Sequence, residues 1–138
     1  MKCCVASLLI LGMCGDAGSS VVRAGQDRSV NDGVYSEAQA SRGEMAFEKN
    51  CTNCHDNARF TGPEFVQNWS GRPLAALYEV MSTTMPEDNP GTLKPQQYAD
   101  ILSFFLKLNG FAAGETELTG TAIAMKAIRM EPASPAQK

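Results

Sequence analysis

The chain has 138 residues with a formal net charge of −3 at pH 7, and 43% of its residues are hydrophobic, which indicates one globular domain with additional terminal segments. It contains no run of basic residues, which argues against nucleic acid as a partner. No apolar stretch reaches the ~20 residues that a membrane-spanning helix needs, so we predict no transmembrane helix in the mature protein.

Residues 1–24 form a leader of different character from the rest of the chain. Lys2 is followed by an apolar core from about Cys4 to Met13, and then by small and polar residues. This three-part layout is typical of a secretory signal peptide, whose apolar core usually has ~7–15 residues. We therefore predict an exported protein, most simply one of a bacterial periplasm.

The sequence is compatible with more than one signal-cleavage site. Small-residue patterns place it after Ala17 or after Ala24. The stretch ending at Cys14 also resembles a lipoprotein box, in which Cys14 would be acylated, although Met13 departs from the small residue expected there. A single acyl chain would anchor the protein only marginally. Periplasmic export is the main expectation, and a lipid anchor at Cys14 is the alternative.

The first predicted helix follows residues 25–35, which lack periodicity and predict a flexible segment leading into the domain. Ser36 with Gln39 three residues later has the pattern of a capping box, which marks a helix start. Gly43 and Phe47 then recur at helical intervals, and the same spacing continues into a cysteine-rich motif.

That motif is Cys-x-x-Cys-His, formed by Cys51, Cys54 and His55. A structural zinc site needs about four Cys or His ligands, whereas cleavage of the leader leaves these two cysteines and the single histidine of the chain. A thioredoxin-like redox pair would need a βαβ context, which the helical pattern does not provide. The motif is the attachment signature of c-type haem, so it predicts one haem c bound to both cysteines, with His55 as the proximal iron ligand.

The second axial ligand decides whether such an iron carries electrons or binds small molecules. Bis-histidine ligation is excluded because His55 is the only histidine, and Met, Lys or an open position remain. Met81 belongs to the apolar stripe of a second predicted helix that begins near Pro73, which favours core packing. Met85 follows that helix, and Pro86 favours an extended backbone that presents the thioether sideways. We predict Met85 as the distal iron ligand.

A third predicted helix opens at Pro95 and closes at Asn109-Gly110. Its apolar residues repeat on one face: Tyr98, Ile101, Leu102, Phe105 and Leu106. Residues 115–138 predict a C-terminal tail in which a short helix would find few partners. The sequence thus predicts an all-α domain of three to four helices.

From about Ser36 to Gly114 the chain resembles the class I c-type cytochromes. Gly43 and Phe47 resemble the Gly and aromatic residue of that family's N-terminal helix, and Phe104 resembles the aromatic residue of its C-terminal helix. In the family these two helices cross closely because the Gly permits it. The resemblance implies a small cytochrome c fold over residues 36–114, packed around one covalently bound haem.

Two further segments carry roles that the resemblance implies. The stretch "TGPEF" looks like the family's Thr-Gly-Pro segment, in which the Pro carbonyl accepts a hydrogen bond from the proximal imidazole, and this implies that role for Pro63 toward His55. The stretch "TTMP" resembles the distal-ligand loop and again implies Met85.

Motif and resemblance together predict an exported electron carrier that is not itself an enzyme. Its expected partners are redox proteins, such as a periplasmic dehydrogenase or quinol-oxidising complex and a terminal acceptor. Residues 85–118 are also similar to haem domains that accompany periplasmic quinoprotein dehydrogenases. A dehydrogenase subunit or dedicated acceptor is therefore a second hypothesis. An open-site haem enzyme or gas sensor is a third, and it requires that Met85 not bind iron.

Overall fold

The computed structural model describes residues 28–133, and the predicted leader of residues 1–24 lies outside that range. The helices are α1 (Glu37–Asn50), α2 (Gly62–Trp69), α3 (Leu74–Thr84), α4 (Pro95–Leu108) and α5 (Ala122–Met125). Short 3-10 turns span Val30–Asp32 and Asn57–Phe60, and the two-residue strands β1 (Arg28–Ser29) and β2 (Ile128–Arg129) pair in parallel. The predicted all-α class is confirmed. No helix within the described range has the length and apolar character to span a bilayer.

Helix α1 begins where the sequence predicts, and its cap is only half of the expected capping box. The Ser36 hydroxyl accepts a hydrogen bond from the Gln39 backbone N–H at 3.0 Å. The Gln39 side chain does not return to the cap; it is fully buried and donates to Asp100 Oδ1 at 3.0 Å and to the Leu118 carbonyl at 2.8 Å. A buried amide must satisfy its hydrogen bonds inside the protein. The Gln39 side chain therefore joins α1 to α4 and to the C-terminal segment and does not cap its own helix.

The closest helix contact is the crossing of α1 and α4. A Cβ added at Gly43 would overlap the backbone carbonyl of Asp100, so the two backbones touch at a distance that no side chain permits. One turn further along, the Phe47 ring lies 5.7 Å from the Phe104 ring and 5.6 Å from the Phe105 ring. The close crossing that the family resemblance implies is therefore present, and the aromatic residues fill the space beside it.

Helices α3 and α4 match the predicted second and third helices, whereas α2 was not predicted. Its eight residues are too few to display a periodic apolar stripe. The start signals were nevertheless in the sequence, since Thr61 precedes the helix, Pro63 lies in its first turn and Glu64 is the acidic residue of that turn.

The expected C-terminal tail with few partners is wrong for residues 115–133. Leu118, Met125, Ile128 and Met130 are each at most 4% exposed and belong to the hydrophobic core. The Met130 backbone also exchanges hydrogen bonds with the loop before α3, donating to Arg72 O at 3.0 Å and accepting from Gly71 N–H at 2.8 Å. The segment before α1 packs in the same way, with buried Val30, Val34 and Tyr35, so it too differs from the flexible segment expected there.

A polar cluster attaches this C-terminal segment to α1 and α4. Arg42 of α1 forms ion pairs with Asp100 at 3.3 Å and with Glu117 at 2.7 Å. The Arg42 guanidinium, together with the Ser36 hydroxyl, lowers the pKa of Glu117. Gln96 donates to the Leu118 carbonyl at 2.9 Å and accepts from a backbone N–H of the same segment. The apolar periodicity of the sequence does not predict these pairs, because they join residues that are far apart in the chain.

Gly43→Ala tests the helix crossing. The added methyl group has no space against the Asp100 carbonyl, so the helices must separate. We expect the free energy of unfolding, measured by denaturant titration of the holoprotein, to fall by about 2–3 kcal/mol. Ser41→Ala, on the exposed side of the same helix, is the control and should change it by less than about 0.5 kcal/mol. Equal midpoints for the two variants would contradict the close crossing.

Met130→Ala tests whether residues 115–133 belong to the core. Met130 is 1% exposed, so its truncation leaves a cavity and should cost about 2–5 kcal/mol of unfolding free energy. Met45, 62% exposed on α1, offers the same chemical change on the surface, and Met45→Ala should cost less than about 0.5 kcal/mol. A C-terminal segment without partners would make the two variants indistinguishable in thermal or denaturant unfolding.

Candidate functional site

A cavity of about 920 Å³ separates the end of α1 from the end of α3. Its volume lies within the ~300–1,000 Å³ range of small-molecule and cofactor sites. Apolar side chains from several helices form much of its wall: Phe47, Phe65, Leu77, Ile101 and Phe105. Among the predicted site residues, Cys51, Cys54, His55 and Met85 all line this cavity.

The Cys-His turn continues directly from α1. The Cys51 N–H donates to the Phe47 carbonyl at 2.8 Å, and the Cys51 carbonyl in turn accepts from the N–H groups of Cys54 at 3.1 Å and His55 at 2.9 Å. These local bonds hold the three motif residues in one compact turn. Both thiols are free, and burial raises the pKa of the half-buried Cys51 thiol, whereas Cys54 is exposed.

The His55 imidazole is oriented by packing. Its ring meets the Phe60 ring edge-on at 5.5 Å, and Phe60 stacks on Phe105 of α4 at 4.3 Å. Within residues 28–133 the imidazole makes no hydrogen bond, so both ring nitrogens are available. Asp56 begins the 3-10 turn between the motif and Phe60 by accepting from the Arg59 N–H at 3.2 Å.

Met85 also lines the cavity and lies immediately after α3. Its backbone is extended, with φ −122° and ψ 150°, as the following Pro86 predicts. Met81, one turn earlier, is buried in the core and also lines the cavity. The other described methionines do not: Met45, Met125 and Met130. Of the five methionines within residues 28–133, Met81 and Met85 line the cavity. Met81 packs in the core and Met85 has an extended backbone, as the sequence predicts.

The structure puts Pro63 beside the cavity without bringing it into the wall. Pro63 lies in the first turn of α2 and lines a neighbouring groove with Val66 and Leu108. No hydrogen bond joins it to His55 in the part of the chain that the structure describes. Its implied role toward the imidazole stays a prediction.

Asn109 is a site-supporting residue that the sequence reasoning read only as a helix end. Its Oδ1 accepts from the Gly62 N–H at 2.9 Å, and its Nδ2 donates to the carbonyls of Phe60 at 2.8 Å and Phe105 at 2.7 Å. One side chain therefore ties the loop after the motif to the end of α4. A polar Asn directly after an apolar helix indicates a side chain that needs hydrogen-bond partners. The sequence does not identify those partners, because they lie 47 and 49 residues away.

The mouth of the cavity is charged. Arg59 contributes a positive charge, and Glu64, Glu87 and Asp88 contribute negative charges, all on exposed side chains. Val80, 46% exposed, adds an apolar contact at the same rim.

The donor set fits a metal that is held mainly by a planar organic ligand. Within the described residues, no group of three or more His, Cys, Asp or Glu side chains could hold a metal ion. A metal in this cavity would take donors from His55 and a methionine of the lining, so its remaining ligands would come from a macrocycle filling the apolar space. Two thiols beside the His give that macrocycle a covalent attachment. The site residues therefore fit a c-type haem.

The chain is similar to a known protein family over about half of its length. The family model described as cytochrome C oxidase, cbb3-type, subunit III matches residues 38–105. No curated protein and no solved structure matches the chain. The matched span runs from α1 into α4 and contains every residue that lines the large cavity.

Asn109→Ala tests the anchoring of the loop after the motif. Loss of the side chain leaves the Gly62 N–H and two carbonyls without this partner, so we expect a loss of about 1–3 kcal/mol in unfolding free energy. The Gly62 amide should also exchange faster with deuterium in the folded protein. Gln67→Ala, an exposed change on α2, is the control for both measurements. Unchanged Gly62 exchange in Asn109→Ala would contradict the anchoring.

Proposed function

We propose that this chain, whose residues 38–105 form a c-type cytochrome domain consistent with the class I monohaem proteins, is an exported electron carrier with His55 and Met85 as axial iron ligands. Haem binding and electron transfer follow from the domain that residues 38–105 form. Export, the ligand pair and the partners are the parts that we propose.

One observation carries the ligand assignment. Cys51, Cys54 and His55 line the same cavity as Met85, which lies just beyond the end of α3. Met81 also reaches the cavity, but it lies within α3, and its 9% exposure and core contacts give its side chain a packing role. The extended backbone at Met85 leaves its thioether free of helix packing, which supports Met85 as the ligand.

The covalently bound haem c supplies the one-electron couple of its iron. Cys51 and Cys54 would tether it, and the His55 ring, which packs edge-on against Phe60, would provide the proximal nitrogen. A Met85 thioether on the other side would fill the last position, so no substrate needs access to the iron. A thioether ligand and apolar surroundings raise the reduction potential.

The exposed mouth supports transfer to another protein. Cys54 is exposed there, beside Val80 and the charged residues of the rim. Electron-transfer encounters use small and weak interfaces. We propose that redox proteins, such as a periplasmic dehydrogenase or quinol-oxidising complex and a terminal acceptor, approach this mouth.

The proposal of export rests on the leader of residues 1–24 and on the Cys-x-x-Cys-His motif. Covalent haem attachment takes place outside the bacterial cytoplasm, which agrees with a signal peptide. N-terminal sequencing of the mature protein, with cell fractionation, separates cleavage after Ala17 or Ala24 from acylation at Cys14. Recovery of the protein from the cytoplasm with its leader intact would contradict export.

A second candidate is a fixed subunit of a larger oxidoreductase. The matching family description names a subunit of an oxidase, and the dehydrogenase subunit predicted from residues 85–118 belongs to the same class of role. Gel filtration of the natively expressed protein distinguishes the two. A carrier elutes as a single small chain, whereas a subunit elutes with stoichiometric partners that resist salt.

Met85→Ala and Met81→Ala test the ligand assignment as a matched pair. The ferric wild-type holoprotein should show a low-spin spectrum with the weak far-red band of a Met–iron bond. We expect the band to disappear in Met85→Ala, because the sixth ligand is lost. It should persist in Met81→Ala, whose main effect is a stability loss of about 2–5 kcal/mol from the buried cavity.

Two results would overturn this assignment. Loss of the band in Met81→Ala alone would transfer the ligand role to Met81. A high-spin wild-type protein that binds carbon monoxide would instead indicate an open-site haem enzyme or gas sensor.

A further inference from the structure

The backbone of Met85 is held by three hydrogen bonds. Its N–H donates to the Met81 carbonyl at 3.0 Å, which closes the last turn of α3. Its carbonyl accepts from the Tyr98 hydroxyl at 2.7 Å and from the Gly91 N–H at 3.2 Å. Because Met85 lies past the helix end, its carbonyl has no partner in the helix and depends on these two donors.

The two donors to the carbonyl differ in what they attach it to. Gly91 belongs to the same loop as Met85, so its hydrogen bond moves with the loop. Tyr98 lies on α4 and is 3% exposed. Within the described range, only two hydrogen bonds join residues 85–93 to the rest of the protein. One is from the Met85 N–H to α3, and the other is from the Tyr98 hydroxyl to the Met85 carbonyl. Tyr98 is thus the side chain through which hydrogen bonding fixes this loop to α4.

Tyr98 is itself held firmly. Its ring packs edge-on against the Tyr78 ring at 6.4 Å and lines the cavity. Helix α4, which carries it, lies against α1 at the Gly43 crossing, and α1 ends at the haem-attachment turn. A continuous set of contacts therefore leads from the Cys-His wall through α4 to the backbone of the facing methionine.

We propose that Tyr98 is a positioning residue for the distal ligand, acting through its hydroxyl on the Met85 carbonyl. The inference rests on the proposed Met85 ligation and adds the group that keeps the thioether over the iron. Without the hydroxyl, the loop is joined to the protein by the end of α3 and by apolar contacts, so Met85 leaves the iron more readily. The hydroxyl acts on loop opening and makes no contact with the iron itself.

The chain provides a matched control in Tyr78. Tyr78 is also buried, and its hydroxyl donates to the Gly120 carbonyl at 2.9 Å and to the Pro95 carbonyl at 3.3 Å. Tyr78→Phe removes a comparable hydrogen-bonding hydroxyl from the same pair of packed rings without touching Met85. Any general loosening of this part of the core should appear in both variants.

The experiment is an imidazole titration of ferric holoprotein, followed by the loss of the far-red Met–iron band. Imidazole binds iron only where Met85 leaves it, so its apparent Kd reports the ease of loop opening. We expect Tyr98→Phe to keep the band and to lower the apparent Kd for imidazole about three- to tenfold, the factor that one hydrogen bond corresponds to. Tyr78→Phe should keep the wild-type Kd.

A second measurement is independent of global stability. The Gly91 amide, which bonds to the same carbonyl, should exchange faster with deuterium in Tyr98→Phe than in Tyr78→Phe. In a Met85→Ala background, Tyr98→Phe should no longer change the imidazole Kd, because no Met–iron bond remains to be broken.

The outcomes separate the two levels of inference. A wild-type protein without the far-red band would overturn Met85 ligation, and the role of Tyr98 with it. A wild-type protein with the band, together with an unchanged imidazole Kd in Tyr98→Phe, would overturn the Tyr98 inference alone. Equal shifts in Tyr98→Phe and Tyr78→Phe would also overturn it, because the effect would then be general loosening.

Discussion

The backbones of α1 and α4 touch at Gly43 and Asp100, and this contact fixes how the two longest helices are placed. Helix α1 ends directly at the haem-attachment turn, and α4 carries Tyr98 near its start and Asn109 just past its end. The crossing therefore sets the separation of the two cavity walls. A side chain at Gly43 would push α4 outward, together with its contacts to the loop after the Cys-His motif and to the loop after α3.

The segments outside the family-matched span serve this crossing. Leu118 is held on both backbone groups by Gln39 of α1, and its carbonyl also accepts from Gln96 of α4. Met125 and Met130 then fill space next to α3. A small domain with a large cofactor cavity has limited apolar area of its own. The chain after α4 supplies additional core.

The two walls of the cavity are restrained in different ways. The part of the cavity lining formed by the Cys-His motif is held by short-range hydrogen bonds. Backbone N–H groups of the motif donate to the carbonyls of Phe47 and Cys51, so the motif continues α1. The part that contains Met85 is a loop, and the hydrogen bond from the Tyr98 hydroxyl to the Met85 carbonyl joins this loop to α4. Electron transfer favours ligands that stay in place when the iron changes charge. A rigid turn on one side and a tethered loop on the other satisfy that need with few residues.

The sequence by itself determined the features whose causes are local. The Cys51 motif, the helices with long apolar stripes and the extended backbone at Met85 follow from neighbouring residues, because covalent spacing and steric preference act over a few positions. Tertiary structure decided what depends on partners distant in sequence. The Gln39 side chain accepts a hydrogen bond from Leu118 and does not cap its own helix. Asn109 accepts one from Gly62 in the loop after the motif, and residues 115–133 contribute side chains to the core. Their roles arise only when the α1–α4 crossing brings those partners within hydrogen-bonding and packing distance.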